Sequence, residues 1–188
     1  MQSLKDLWLE LHAAGYGSDK GDIHSYIDVY EELFAPYRET ALNILEIGIF
    51  KGDSLRLFQK YFTGNVYGVD CSETPIDGMA DLRPIIAEGK HNIRILDATD
   101  KEAIKKAFKG IKFDVVIEDA QHYTQQQLDI YNAFKSFIAP GGIYIIEDAE
   151  NIDRDRSLFE NIDPEKKVEI VDRRKIKDRF DDVLVVIR

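Results

Sequence analysis

Residues 42–54, which read LNILEIGIFKGDS, decide the fold of this 188-residue chain. Residues 42–49 are mostly apolar, and a run of that kind predicts a strand buried on both faces of a sheet. Gly48 and Gly52 follow, and glycines let the backbone turn tightly and approach a ligand closely. The next stretch, residues 53–62, has the pattern of a helix. The segment therefore predicts the strand–turn–helix unit of an α/β fold.

The same alternation of strands and helices continues on both sides of this segment. Helices are predicted over residues 3–14 and about 27–38, with a polar loop over residues 18–26 between them. No helix is predicted between the last two strands, which indicates an antiparallel edge on a sheet that is otherwise parallel and covered by helices on both faces. We predict further strands over residues 65–70, 92–96, 113–119, 143–147, 166–172 and 182–188, and further helices over residues 100–109 and 124–138.

Composition excludes several classes of protein. The net charge of −10 disfavours a DNA or RNA partner, because the phosphate backbone would be repelled. Cys71 is the one cysteine, which rules out an intrachain disulfide and suits a reducing compartment. The first residues lack the apolar run of a signal peptide, and the longest apolar runs have the length of strands. We expect a single cytoplasmic domain over residues 1–188, with no membrane partner.

Acidic residues bracket the glycine turn. Asp53 or Ser54 is the predicted cap of the following helix, and Glu46 lies on the strand before the turn. A helix N-terminus that holds a pyrophosphate should be free of nearby negative charge, so a diphosphate is disfavoured here. A ligand with cationic sulfonium and ammonium groups is favoured instead. The alternative is a plain structural turn, in which Gly48 and Gly52 serve packing alone.

Two further acids follow the second and third predicted strands. Ligands of such sheets bind at the carboxyl ends of the strands, where these acids lie. Asp70, about twenty residues beyond the glycines, is placed to accept both hydroxyls of a ribose, and its alternative role is a helix cap. Asp97 is placed to accept an adenine amino group. Asp97 or Thr99 could equally cap the next helix.

The fourth and fifth strands end in a repeated acidic pattern, IEDA, at residues 117–120 and 146–149. Adjacent strands would bring Asp119, Glu147 and Asp148 together, and unpaired carboxylates at one place repel each other. A divalent cation resolves that conflict, and oxygen ligands without thiolates point to Mg²⁺, Mn²⁺ or Ca²⁺. The alternative is that helix N-termini and lysines satisfy the acids.

His122 follows Asp119 by three residues in the stretch IEDAQHY. An imidazole beside a metal-bound hydroxyl serves as a general base near neutral pH. Taken alone, His122 would be read as a capping or surface histidine. Its position beside Asp119 favours the catalytic interpretation, with Asp119 as the other candidate for taking the proton.

The ordered set of motifs resembles a known family. Gly17, Ser18, Asp19, Lys20, His24 and Tyr26 precede the stretches LEIGIFKGDSL, GVD, IEDAQHY and APGGIYIIEDAE. This set, over about residues 15–150, resembles the metal-dependent sugar O-methyltransferases of macrolide and aminocoumarin antibiotic pathways. It is also similar to the so-called cephalosporin hydroxylase group.

The resemblance implies a Rossmann-like, seven-stranded methyltransferase fold with S-adenosylmethionine in the cleft at the glycine turn. It implies that Asp119, Glu147 and Asp148 hold Mg²⁺, and that His122 or Asp119 takes a proton from the hydroxyl of an acceptor. The loop over residues 18–26 is expected to close over the methionine end of the cofactor. The expected cofactor-binding residues are Ser18, Lys20, Tyr26, Glu46, Gly48, Gly52, Asp70, Asp97 and Asp119.

The acceptor stays open at this level, because the sugar enzymes resemble longer chains. Residues 71–91 and the tail after Asn151 are all that is left to shape an acceptor pocket, and a small sugar or a sugar nucleotide is expected. The basic residues at 173–175 are expected at a solvated turn, or else near a phosphate of the acceptor. A homo-oligomer is also left open.

Two other functions compete with methyl transfer. The spacing of Gly48 and Gly52 and the acid Glu46 count against an oxidoreductase that uses NAD. A non-enzymatic module that binds the cofactor or a metal has no need of a base, so IEDAQHY favours an enzyme.

Overall fold

The computed structural model describes residues 1–75 and 80–188. Residues 76–79, within the stretch that was expected to shape the acceptor pocket, lie outside the described residues. One sheet carries the fold, with strands in the order β3-β2-β1-β4-β5-β7-β6. The strands are β1 (Asn43–Ile47), β2 (Asn65–Asp70), β3 (Asn92–Ile95), β4 (Phe113–Glu118), β5 (Ile138–Ile146), β6 (Val168–Asp172) and β7 (Val183–Ile187).

Helices connect most of these strands. None of the helices among the described residues has the length and apolar character needed to cross a membrane. The helices are α1 (Leu4–Ala13), α2 (Asp19–Asp22), α3 (Ile27–Phe34), α4 (Asp53–Tyr61), α5 (Arg83–Ala87), α6 (Lys101–Ala107), α7 (Thr124–Phe134), α8 (Ile152–Glu160) and α9 (Arg174–Lys177), with short 3₁₀ turns at Ala35–Tyr37 and Lys135–Phe137.

The pairing of the strands confirms the predicted fold. β1 pairs in parallel with β2 and β4, and the parallel pairing continues outward to β3 and β5. β7 pairs antiparallel with both β5 and β6. The carboxyl ends of β1 to β5 therefore meet at one edge, and the strand order reverses between β1 and β4, which is where ligands bind in open α/β sheets.

The predicted boundary between α7 and β5 was wrong. The helix ends at Phe134, and the strand begins at Ile138 rather than at residue 143. The register between β4 and β5 shifts as the chain passes Pro140, and Gly141 has a positive φ of 78°. A bulge accommodates the proline, which has no N–H to donate, so the strand continues through a sequence that reads as a turn.

Four short or charged helices were not predicted. α2 lies within the stretch 18–26 that was expected as a loop, α5 was not predicted, and one turn of helix, α9, lies between β6 and β7, where no helix was expected. α8 was also missed, because most of its residues are charged and its apolar pattern is weak. Its inner face includes Asp155, whose carboxylate accepts a hydrogen bond from Thr124 Oγ1 at 2.7 Å. A polar partner thus replaces the apolar contact that a periodicity argument looks for.

The predicted cap of α4 was also wrong. Gly52 occupies the N-cap position with φ 75°, and no side chain caps the helix. Ser54 Oγ instead donates to Glu46 Oε2 at 2.7 Å. The hydroxyl is thus committed to a buried acid on β1, and the first turn of the helix is joined to the strand that precedes it.

Each face of the sheet has its own apolar core, because side chains alternate along the strands. Ile44 and Ile117 belong to the core beneath α1, α3 and α4. Leu45 and Val116 belong to the opposite core, which α6, α7 and α8 cover. Burial on both faces holds the strands rigidly, so the loops at their carboxyl ends start from fixed positions.

Gly48 lets two of these loops touch. Its φ is 89°, and an added Cβ would lie 2.0 Å from the carbonyl oxygen of Asp119. The Asp119 N–H donates to the carbonyl of Ile47 at 2.8 Å, and the Gly48 N–H donates to that of Val69 at 2.8 Å. A side chain at residue 48 would separate the loop after β1 from the loop after β4. The glycine therefore fixes the position of the Asp119 backbone against the loop after β1.

Candidate active site

A cavity of about 340 Å³ opens at the carboxyl ends of the parallel strands. Four of the residues predicted to bind a cofactor lie on its wall: Gly48, Asp70, Asp97 and Asp119. The other lining residues include apolar side chains from the strand ends and from α7, and two amides. They are Ile47, Val69, Leu96, Ala98, Gln121, Gln126 and Ile130, among others.

Backbone hydrogen bonds fix the carboxylate of Asp70 at the end of β2. Its Oδ2 accepts the N–H of Ile49 at 2.9 Å, and its Oδ1 accepts the N–H of Cys71 at 2.8 Å. Each carboxylate oxygen can accept more than one hydrogen bond. The two oxygens are therefore held on the cavity wall and can still accept from a bidentate donor. Asp70 caps none of the described helices.

Asp97 lies on the cavity wall and is held by its own loop. Its Oδ1 accepts the N–H and the hydroxyl of Thr99 at 2.8 and 2.7 Å. These two bonds lower the pKa of Asp97. Asp100 caps α6, so the alternative that Asp97 or Thr99 caps the helix was wrong.

A buried ammonium lies behind the cavity, among carboxylates from three strands. Lys20 Nζ is 2.6 Å from Asp119 Oδ2, 2.9 Å from the carboxylate of Glu147 and 3.7 Å from Glu46 Oε1. Only 1% of the lysine is exposed. Burial lowers the pKa of Lys20, but the nearby acids outweigh burial and hold that pKa well above its ordinary value. The lysine is therefore charged and neutralises part of the cluster.

Tyrosines from α3 and from the loop before it complete the buried network. Tyr30 donates its hydroxyl to Glu147 at 2.5 Å, and Tyr26 donates to Asp148 at 2.5 Å. Burial, followed by the charge of Asp119, raises the pKa of both Glu147 and Asp148, the latter to about 6. Asp148 also has a positive φ of 51°. Such a conformation costs energy, and it recurs at functional sites in proteins.

His122 lies at the outer end of this network, between three acids. Its Nε2 is 3.4 Å from Asp119 Oδ1 and 3.6 Å from Asp148 Oδ2, and its Nδ1 is 3.6 Å from Glu150 Oε1. Its contact with Asp119 raises the pKa of His122 to about 9, against the opposing effect of burial. These acids alone keep the imidazole protonated at neutral pH. A neutral base at this position requires a further positive charge that offsets them.

Within residues 1–75 and 80–188, two sets of side chains place donor atoms close enough to share one metal ion. Asp119, His122 and Asp148 form the first, and His24, Asp148 and Asp181 form the second, with ligand atoms within 4.8 Å of each other in each set. Asp181 is already paired with Arg179, so the first set is the better candidate. Glu147, predicted as a ligand, is next to it but interacts with Lys20 and Tyr30.

Comparison with protein families gives a match over residues 45–149, to a family described as a methyltransferase domain. The match spans more than half of the chain and includes the end of β1, the glycine turn and both IEDA stretches. The chain belongs to this methyltransferase family.

Two curated relatives that are similar in sequence to this chain are O-methyltransferases that act on sugars. An 8-demethyl-8-alpha-L-rhamnosyl tetracenomycin-C 2'-O-methyltransferase of Streptomyces olivaceus is 30% identical over 146 residues, covering 73% of this chain and 36% of the relative. A mycinamicin VI 2''-O-methyltransferase of Micromonospora griseorubida is 29% identical over 147 residues, covering 74% and 35%. This chain thus spans about a third of the length of these relatives.

Solved structures share the fold over the whole chain. The MycE methyltransferase, in complex with Mg, SAH and mycinamycin VI, has a TM-score of 0.73 at 20% identity, covering 100% of this chain and 54% of MycE. An O-methyltransferase from Bacillus cereus in complex with SAH has a TM-score of 0.65 at 19% identity, covering 98% and 90%. Both support a methyltransferase sheet of the Rossmann-like kind.

The remaining predicted cofactor residues lie away from the cavity wall. Ser18 caps α2, Lys20 and Tyr26 contact acids, and Glu46 is fully buried and accepts from Ser54. Gly52 packs against Ile85 instead. The segment 18–26 therefore contacts a group of acids that we call the acidic cluster: Glu46, Asp119, Glu147 and Asp148. Its residues affect the site by holding these carboxylates in place.

Two side chains at the site were not predicted from the sequence. Phe50 lies at the mouth of the cavity, is 59% exposed and has a φ of 51°. Tyr30 lies on the inner face of α3 and reads as an ordinary core aromatic, since its hydroxyl reaches Glu147 only through the tertiary fold. The position of Phe50 between two glycines is a signal that the sequence carries. The sequence carries no such signal for the role of Tyr30.

We predict that Lys20→Met destabilises the protein far more than a comparable change on the surface. Removing one partner of a buried ion pair costs about 3–5 kcal/mol. Lys60 pairs with Glu10 at 2.7 Å but is 41% exposed, and Lys60→Met should cost about 1 kcal/mol or less. Urea unfolding of the two variants measures the difference. Equal losses would mean that the Lys20 cluster contributes no more than a surface ion pair.

Proposed function

We propose that this chain transfers a methyl group from S-adenosylmethionine to a hydroxyl of a sugar-bearing acceptor, with the help of a divalent cation. The observation that carries the proposal is the position of Asp119, which lines the cavity and also contacts His122 and Lys20. A cofactor in the cavity and an acceptor beside His122 would meet at this residue.

The cavity suits S-adenosylmethionine better than NAD. Asp70 would accept the ribose hydroxyls, Asp97 the adenine amino group, and Ile130 and Leu96 would contact the adenine ring. Acids near the sulfonium favour a cationic ligand. None of the described residues that line the cavity is a lysine or an arginine, so the pyrophosphate of NAD would have no cation to bind.

The cluster beside the cavity has the donor chemistry of a divalent cation site. Asp119 and Asp148 would supply carboxylate oxygens, and Glu147 would join them by sharing its carboxylate with Lys20, while His122 would lie beside the ion with its Nε2 free to take a proton. Oxygen-rich donor sets of this kind suit Mg²⁺ or Mn²⁺. A cation held there lowers the pKa of a hydroxyl and orients its oxygen.

The chain's own residues would supply the proton transfer and the alignment. The acceptor oxygen attacks the sulfonium methyl in line, so that a C–O bond forms as the C–S bond breaks and the sulfonium becomes a neutral thioether. His122 Nε2 is the proposed acceptor of the hydroxyl proton, with Asp119 as the alternative. Lys20 holds Oδ2 of Asp119 and leaves Oδ1 facing His122, which fixes the geometry that the reaction needs.

The acceptor is proposed as a sugar hydroxyl because the named relatives methylate sugars. A sugar nucleotide is disfavoured, since its diphosphate would lie near the three acids around His122, which are Asp119, Asp148 and Glu150. Arg174, one of the basic residues expected near such a phosphate, pairs with Asp153 and Asp172 instead.

For the cofactor, we expect Asp70→Asn to weaken binding of S-adenosylhomocysteine (SAH) about tenfold or more, because a hydrogen bond to a charged group contributes about 1.5–3 kcal/mol. Asp129→Asn, at an exposed position of α7, is the matched control and should bind normally. Isothermal titration of SAH and of NAD measures both. Wild-type affinity in Asp70→Asn would remove Asp70 from the site, and tight NAD binding would favour an oxidoreductase.

For the metal, EDTA should abolish methyl transfer and added Mg²⁺ should restore it. Mg²⁺ should also raise the melting temperature of the wild type, since it binds the folded state. Asp148→Asn should lose that shift. Asp178→Asn is the control, because both aspartates have a φ near 50°, at 51° and 55°. Methyl transfer that survives EDTA would leave the acids with a structural role only.

For the base, His122→Ala and His122→Gln should slow single-turnover methyl transfer by about 10²-fold or more, the usual contribution of a positioned base. SAH affinity should stay at the wild-type value, because His122 is not on the cavity wall. His12→Ala, on the exposed side of α1, provides the control. If both His122 variants reacted at the wild-type rate, the proton would have to leave through Asp119 or through solvent.

A further inference from the structure

The segment 18–26 is held on the acidic cluster by residues about 150 positions later in the chain. Those residues lie between β6 and β7, and we call Arg173, Lys177 and Asp182 the C-terminal clamp. We propose that this clamp positions Lys20, and through it Asp119, for the reaction. Lys177 is its principal positioning residue. The inference rests on the proposed methyl transfer for its kinetic part only.

Lys177 binds the end of α2 through all the donors of its ammonium. Its Nζ donates to the carbonyls of Gly21, Asp22 and His24 at 2.8, 2.7 and 2.7 Å. Carbonyls at the end of a helix lack partners within the helix. A cation there satisfies them and also interacts favourably with the helix dipole. The ammonium thus acts as an external cap for α2.

The other clamp residues hold the chain just beyond α2. Asp182 Oδ1 accepts the N–H of Ser25 at 3.1 Å, and its Oδ2 accepts the hydroxyl of Ser25. Arg173 donates to the carbonyl of Ser25 and to Asp28, both at 3.2 Å. Asp182 is fully buried, whereas Lys177 is exposed. The clamp therefore runs from the surface down to the acidic cluster.

α2 is too short to be stable on its own. It is four residues long, and an isolated helix of that length is unstable in water, because the entropy lost on nucleation outweighs the hydrogen bonds of a single turn. Ser18 caps its start, and Trp8 Nε1 donates to the carbonyl of Ser18 at 2.8 Å. The clamp supplies the contacts at its other end. Lys20 lies between the two anchored ends, one residue before Gly21.

The position of Lys20 connects the clamp to the reacting groups. Lys20 Nζ lies 2.6 Å from Asp119 Oδ2, and Asp119 in turn contacts His122. A displacement of α2 moves the ammonium away from Asp119, and small errors in alignment cost much of the rate in a reaction of this kind. The cavity wall contains no residue of segment 18–26. Loss of the clamp should therefore affect turnover more than cofactor binding.

The test compares Lys177→Met with Lys175→Met in the full chain. Both lysines belong to α9, and only Lys177 reaches segment 18–26. Hydrogen exchange followed by mass spectrometry should show amides 20–26 exchanging about tenfold faster in Lys177→Met, as expected when a local opening becomes easier. Lys175→Met should match the wild type. In methyl-transfer assays, kcat of Lys177→Met should fall by about fivefold or more, with KM for S-adenosylmethionine nearly unchanged.

Each outcome decides one part of the proposal. Unchanged exchange in Lys177→Met would overturn the clamp. Faster exchange with a wild-type kcat would overturn the positioning role and leave Lys177 as a local structural contact. A rise in KM with kcat unchanged would also overturn it, because the effect would then be on the cofactor. If the wild type binds no SAH by calorimetry, the proposed function fails, while the exchange experiment still tests the clamp.

Discussion

One ammonium among buried carboxylates organises the site. Lys20 comes from the N-terminal part of the chain, and the acids that it contacts, Glu46, Asp119 and Glu147, come from β1, β4 and β5. Carboxylates brought this close out of water repel each other and resist ionisation. The positive charge of Lys20 offsets this repulsion. The hydroxyls of Tyr26 and Tyr30 donate hydrogen bonds to Asp148 and Glu147. The placement of the acids at one point thus depends on this ammonium, whose own position is set by the contacts at both ends of α2.

The sheet and the cavity could be predicted from the sequence because both depend on local patterns. Buried strands are read from apolar runs, and the carboxyl ends of parallel strands must share an edge, so Asp70, Asp97 and Asp119 were predicted together before their geometry was known. The errors are also local in origin. α8 is too charged to show a period, and β5 continues through a proline and glycines that read as a turn.

The roles of Lys20 and Tyr26 could not be predicted from the sequence. Lys20 and Asp119 are 99 residues apart, and nothing in either local sequence shows that they meet. Both residues were expected at the cofactor, and the contacts with Asp119 and Asp148 that the structure gives them were not predicted. The protonation of His122, which depends first on Asp119, depends in the same way on Asp148, which reaches the imidazole only after β5 has paired with β4. Long-range electrostatics of this kind has no signature in a single sequence.

The clamp has a consequence for how the protein is made. A ribosome synthesises segment 18–26 about 150 residues before the residues that hold it, Arg173, Lys177 and Asp182. During synthesis the nascent chain can pair β1 with β2 and β4 and enclose the cavity, since domains fold as their parts appear. Lys20 can meet Glu46, Asp119 and Glu147 at that stage, but the carbonyls at the end of α2 still lack the ammonium of Lys177. A nascent chain that has not yet made residues 173–182 would therefore carry the cavity without the clamp that positions Lys20.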